Sequence, residues 1–95
     1  MGPIKTNKLG RILTSKGFET KENDHTYYFL YVGNKKTSIR TKISHGSKEY
    51  DGKLLSQMSR QLHFRNNEFN DFLDCTLTYD DYVQLMIERQ HLKLC

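Results

Sequence analysis

The stretch HTYYFLYVGNKKTSIRTKI, residues 25–43, decides how this chain folds. Its first eight residues, from His25 to Val32, are rich in Tyr, Phe, Leu and Val, side chains that suit an extended backbone. Gly33-Asn34 then offers the pair of positive backbone angles that a tight hairpin turn needs. The return stretch, residues 35–43, alternates cleanly, with Thr37, Ile39, Thr41 and Ile43 on one side and Ser38, Arg40 and Lys42 on the other. One side of that strand is therefore wet and basic while the other packs on helices. In the first strand both sides are apolar, Tyr28, Leu30 and Val32 against Tyr27, Phe29 and Tyr31. Pattern alone leaves open which of them meets the helices.

Outward from the hairpin, Phe18 to Glu22 reads as a third, short strand, joined to the first by the turn-like Lys21-Glu22-Asn23-Asp24. Before it, Thr6 is placed to cap a helix whose Leu9, Ile12 and Leu13 share a face, and Lys16-Gly17-Phe18 reads as its end. Gly10 weakens that helix without breaking its periodicity. Beyond the hairpin, residues 44–50 read as a loop. Asp51 can cap a helix carrying Leu54, Leu55, Met58 and Leu62. Asn66 or Asn67 can cap a short helix with Phe69, Phe72 and Leu73. Thr78 opens a last helix, with Asp80 and Asp81 at its positive end, Leu77 and Tyr82 spaced as a hydrophobic staple, and Val83, Leu85 and Met86 on an apolar face. The expected fold is α+β: an α-β-β-β-α core with a three-stranded antiparallel sheet packed on helices, then a C-terminal helical extension over residues 74–95.

Ninety-five residues suit one domain, and 36% hydrophobic with 27% charged residues suits a folded rather than a disordered chain. The longest apolar run, Tyr27 to Val32, is too short to span a bilayer, and no cationic-then-apolar leader opens the sequence. Met1-Gly2 with Thr6 matches a myristoylation pattern only formally, because Pro3 follows the glycine. Two cysteines twenty residues apart make no disulfide framework, so Cys75 is expected as a reduced packing residue in a cytoplasmic protein. Charge is more telling. Residues 1–65 carry thirteen Lys and Arg against five Asp and Glu, whereas residues 66–95 carry two against six. A basic body with an acidic tail-end points to a polyanionic partner for the first part of the chain.

Histidines are the candidates for proton transfer, since imidazole titrates near neutrality. His25 opens the first strand of the hairpin and His45 follows the return strand, so the hairpin brings both toward one end of the sheet, beside Arg40 and Lys42. Imidazoles next to cations suit a phosphodiester. RNA carries its own nucleophile, the 2′-hydroxyl, so a group that removes its proton and protonates the leaving oxygen suffices, with no cofactor and no metal. His25 is the expected catalytic residue, with Arg40, Lys42, His45 and Lys53 as RNA-binding residues; Arg60 and Arg65 could add phosphate contacts. His63 and His91 read as helix-end residues without a partner. Asp24, His25 and His45 together match no metal-ligand spacing. Tyr27, Tyr28 and Tyr31 could stack on bases. Glycine-rich phosphate loops, nucleophile elbows and paired carboxylates are not seen in the sequence. A different use of the chain is protein interaction, with Tyr82, Val83, Leu85 and Met86 facing a partner or a second copy in a homodimer; packing onto the domain is the simpler expectation.

The ordered set of features resembles the HicA toxins: a leading helix ending in Lys16-Gly17-Phe18, a histidine opening a strand at His25, a hairpin running into Ile43-Ser44-His45, Gly52 before a Leu-rich helix, and Asn67-Glu68-Phe69. The likeness spans residues 6–73, about three-quarters of the chain. It implies a double-stranded-RNA-binding-domain-like fold and ribonuclease (mRNA interferase) activity against mRNA, held in check by a HicB-type antitoxin. On this resemblance the family's catalytic histidine corresponds to His25 and its second histidine to His45.

Overall fold

A computed structural model describes residues 3–65 and 67–92, with the elements in the order β1 (Ile4–Lys5), α1 (Thr6–Ser15), β2 (Phe18–Glu22), β3 (Thr26–Val32), β4 (Lys35–Ile43), β5 (Glu49–Tyr50), α2 (Gly52–Gln61), α3 (Glu68–Leu73) and α4 (Tyr79–Glu88). The fold is α+β, with β2, β3 and β4 in one antiparallel sheet and β3 at its centre. Gly33 and Asn34 both hold positive φ, 58° and 64°, as the turn requires. Between Phe29 and Tyr31 the β3–β4 register shifts: Tyr31 lies opposite Lys36 but Phe29 lies opposite Arg40. The slip is by two residues, so the alternation of β4 survives it. Thr37 marks the irregularity, donating its hydroxyl to the Leu30 carbonyl at 2.8 Å and accepting from the Ile39 amide.

The side of β3 that meets the helices is Tyr28 and Leu30, both buried together with Ile39, Thr41 and Ile43 of β4. Against them pack Leu9 and Leu13 of α1, Leu55 and Met58 of α2, and a set of aromatic rings. Phe64, Phe72 and Tyr82 have ring centroids 5.0–5.5 Å apart, and Phe18 meets Phe72 edge-on at 6.3 Å. Burying each such side chain contributes about 1.5–3 kcal/mol. The apolar face of α4 belongs to this core: Tyr82 and Met86 are 0% exposed, and the Tyr82 phenol donates to the Leu62 carbonyl at 2.8 Å. An external interface therefore has only the half-buried Val83 and Leu85 of the four apolar residues to use.

Capping follows the expected chemistry at Asp51, which accepts from the Leu54 amide, and at Thr78 and Asp81, which form a reciprocal capping box. Three local expectations fail. Thr6 is the first helical residue rather than the cap; its hydroxyl instead donates to the Ser47 carbonyl at 2.9 Å and ties α1 to the β4–β5 loop. Residues 44–50 are not all loop, since Glu49 and Tyr50 pair with Lys5 and Ile4. Cys75 is exposed, at φ 70° in the turn after α3, because the chain must reverse there before α4. Asn67 sits at the cap of α3 without a side-chain bond. Asn66, Met1, Gly2 and Cys95 lie outside the described residues.

A single joint ties α1 to β3 and α4. Lys16 is buried and donates its ammonium to the Leu77 carbonyl at 2.7 Å, 5.5 Å from the centre of the Phe72 ring. Gly17 has φ 87°, its carbonyl accepts from the Tyr31 amide, and the Tyr79 ring lies where a β-carbon would sit, 2.3 Å away. The Tyr79 phenol in turn donates to the Tyr31 carbonyl at 2.8 Å. Gly17→Ala should therefore destabilise the chain by about 2 kcal/mol or more, through both the strained φ and the displaced ring. Thermal denaturation should show the midpoint fall by roughly 10 °C; an unchanged midpoint would mean the Tyr79 contact contributes nothing.

Candidate nucleic-acid interface

With Tyr28 and Leu30 turned inward, the other side of β3 presents Tyr27, Phe29 and Tyr31, all half-buried. The register sets Lys21 and Lys42 on either side of Tyr27, and Glu19 and Arg40 on either side of Phe29. The Tyr27 and Phe29 rings lie within 26° of parallel with centroids 6.4 Å apart. Lys36 places its ammonium 3.9 Å from the centre of the Phe29 ring, a contact that draws on the negative face of an aromatic ring. A shallow cavity of about 570 Å3 opens on this side, bordered by Lys21, Tyr27, Phe29, Arg40 and Lys42, with Gln61 at its α2 margin. Four cations around two flat rings, with Glu19 as the lone carboxylate paired into these two rows, make a surface that can take a phosphate backbone and stacked bases together.

His25 stands just before β3, in the turn rather than the strand, and its ring meets Tyr27 edge-on at 6.2 Å. Asp24 organises the corner: one carboxylate oxygen accepts from the His25 amide at 3.1 Å and from the Tyr27 phenol at 3.2 Å. Desolvation, and then the Asp24 carboxylate, hold the Tyr27 phenol above its ordinary range, so it stays a neutral donor. The His25 side chain is 30% exposed, and its Nε2 lies 4.0 Å from the other Asp24 oxygen. Its Nδ1 is buried without a hydrogen-bond partner. Nε2 is thus the nitrogen through which this ring can exchange a proton.

The other expected residues are not gathered here. His45 lies at the same end of the sheet, since Thr26 pairs with Ile43, but its Nε2 is 3.0 Å from the Glu22 carboxylate, on the side of α1. It borders a second cavity that contains neither Arg40 nor Lys42. Lys53 is exposed in the first turn of α2. Arg60 borders a groove between α2 and Phe69 of α3. Arg40 and Lys42 share one surface with Tyr27, while His25 adjoins it through the Tyr27 ring. Asp24–His25 and Glu22–His45 form separate pairs, and among the described residues there is no cluster of three or more His, Cys, Asp or Glu that could hold a metal. Phe29, Lys21 and Lys36 were not among the candidates. The signal for Phe29 was present: residues facing each other across a two-residue turn share a side, so an inward Ile39 requires an inward Tyr28 and an outward Phe29.

No family model, curated protein or solved structure matches this chain.

His63 and His91 have a partner after all, each other: their rings stack at 3.8 Å, within 12° of parallel. The turn is fixed by Arg89, whose guanidinium donates to the His63 carbonyl and makes a two-pronged ion pair with Glu68. That guanidinium holds the Glu68 carboxyl below its ordinary range. Burial, and next the His91 ring, hold His63 below the ordinary imidazole range. Because its pKa is depressed in the folded chain, the unfolded chain takes up the proton first as pH falls through about 6.5, so stability drops from there until the folded group also titrates. His63 has φ 65°, a conformation that asparagine tolerates. His63→Asn should accordingly lose less of its melting temperature than the unaltered chain between about pH 7 and pH 5; parallel pH profiles would remove His63 from the acid response.

Proposed function

We propose that this chain is an RNA-binding endoribonuclease of the HicA mRNA-interferase kind, taking single-stranded RNA on the open side of its sheet with His25 as the proton-transferring group. The observation that carries the reading is the near-parallel Tyr27 and Phe29 pair set between Lys21, Arg40 and Lys42, with His25 at the end of the row. Bases stack on the rings, with Lys36 moving from the face of Phe29 to a phosphate. The order α1-β2-β3-β4-β5-α2, with the short β5 set apart from the three-stranded sheet, supports reading the core as double-stranded-RNA-binding-domain-like.

With a phosphate beside Nε2, the 2′-oxygen attacks the adjacent phosphorus and the 5′-oxygen of the next nucleotide departs. His25 takes the 2′-hydroxyl proton and returns a proton to the leaving oxygen, which yields a 2′,3′-cyclic phosphate and a 5′-hydroxyl end. Arg40 and Lys42 hold the phosphodiester. The substrate is mRNA in the cytoplasm, and a HicB-type antitoxin is the partner that keeps the enzyme silent.

A binding module that does not cleave is the competing reading, and one observation favours it: the second imidazole, His45, is engaged with Glu22 on the other side. Incubation with labelled RNA in the presence of a chelator separates the two. The unaltered chain should cut RNA and His25→Ala should not, while RNA affinity of the variant stays within about twofold. Substrate with deoxyribose at the cut site should resist. Bound but intact RNA with the unaltered chain would leave the binding module, and full cleavage by His25→Ala would remove the mechanism. Tyr27→Ala and Phe29→Ala should each weaken RNA binding by about 1–3 kcal/mol, read by fluorescence polarisation at fixed salt.

A further inference from the structure

The second cavity, about 610 Å3 in volume, lies between α1 and the end of the sheet. Arg11 and Thr14 reach it from α1, Thr26 and Tyr28 from β3, and Ser44 and His45 from the segment after β4. Its wall is held in place, since Thr6 at the start of α1 donates to the Ser47 carbonyl at 2.9 Å. Gly10 explains itself here. A β-carbon at Gly10 would stand 2.6 Å from the Tyr28 phenol oxygen, so the helix forgoes about 1 kcal/mol of propensity to let the Tyr28 ring reach the wall of the cavity.

We propose that this cavity binds the phosphate and ribose of a ribonucleotide. Arg11 supplies a planar fork of donors matched to phosphate oxygens. The hydroxyls of Tyr28 and Ser44 both donate and accept, as ribose hydroxyls require. Those of Thr14 and Thr26, which donate to the Gly10 and Arg11 carbonyls and to the Glu22 carboxylate, can accept, and His45, whose Nε2 donates to Glu22, offers Nδ1 as an acceptor for a ribose hydroxyl. Thr26 and Tyr27 are consecutive strand residues that project to opposite sides, one lining each cavity, and His25 immediately precedes them. An RNA strand that engages both cavities crosses the end of the sheet at His25. The inference rests on the RNA-binding reading above and extends it to a second subsite. A free ribonucleotide carries the same phosphate and ribose and is the other source.

Amide NMR on the full chain tests this, with three titrants: adenosine 5′-monophosphate, inorganic phosphate, and a single-stranded RNA of about ten nucleotides, the last added to His25→Ala so that it stays intact. The amides of Gly10, Arg11, Thr14 and Ser47 should shift with RNA. Arg11→Gln should remove those shifts, weaken the RNA about tenfold and lower the salt dependence by about one phosphate contact, while Phe29 and Arg40 still respond. His45→Gln should act in the same direction. Response of the four amides to the mononucleotide alone assigns the cavity to a free ribonucleotide. Silence of the four in every titration, or unaltered affinity in both variants, overturns the proposal. Silence at Phe29 and Arg40 with a response in the cavity would instead sink the outer-face reading and leave this one standing.

Discussion

The open side of the sheet exists because the other side is completely satisfied. A three-stranded sheet whose central strand is apolar on both sides would bury both if it had enough helix to cover them. Here Tyr82, Phe72, Phe64 and Phe18 interlock beneath Tyr28 and Leu30, and Tyr82 secures the assembly by donating into the end of α2. All four helices contribute to that one cluster. With α1 through α4 committed there, Tyr27, Phe29 and Tyr31 remain half-covered, and cations from β2 and β4 frame them. The same packing that stabilises the fold therefore defines the surface available to a ligand.

Much of this was legible from local pattern. The alternation in residues 35–43, the Gly33-Asn34 turn, the Asp51 cap and the Thr78–Asp81 box each encode their structure within a few residues, so tertiary context had little to override. What stayed hidden depended on distant partners. Nothing near Glu49 and Tyr50 announces a strand, because their pairing needs Ile4 and Lys5. The role of Gly10 appears only once Tyr28 crosses it. His63 looked unpartnered because His91 reaches it through the return of α4.

The histidines illustrate the limit of topology as a guide to a site. A hairpin brings its two ends together, and His25 and His45 do lie at one end of the sheet. Their surroundings differ because sides alternate: His25 joins the Tyr27 row, whereas His45 joins Glu22 and α1. Proximity along a sheet edge is not proximity in chemistry when the sheet itself stands between two groups.

The two-residue slip between β3 and β4 has an evolutionary corollary. A strand tolerates gain or loss of residues in pairs, since an even shift returns each side chain to its former side. Near Thr37, where the ladder is already irregular, descendants of this sequence can lengthen or shorten by two and keep their basic side outermost. Removal of a single residue there would invert the strand, sending Arg40 and Lys42 toward Leu13 and Leu55 and bringing Thr41 and Ile43 into water. Length variation in this segment should therefore come in even steps wherever the cationic surface is retained.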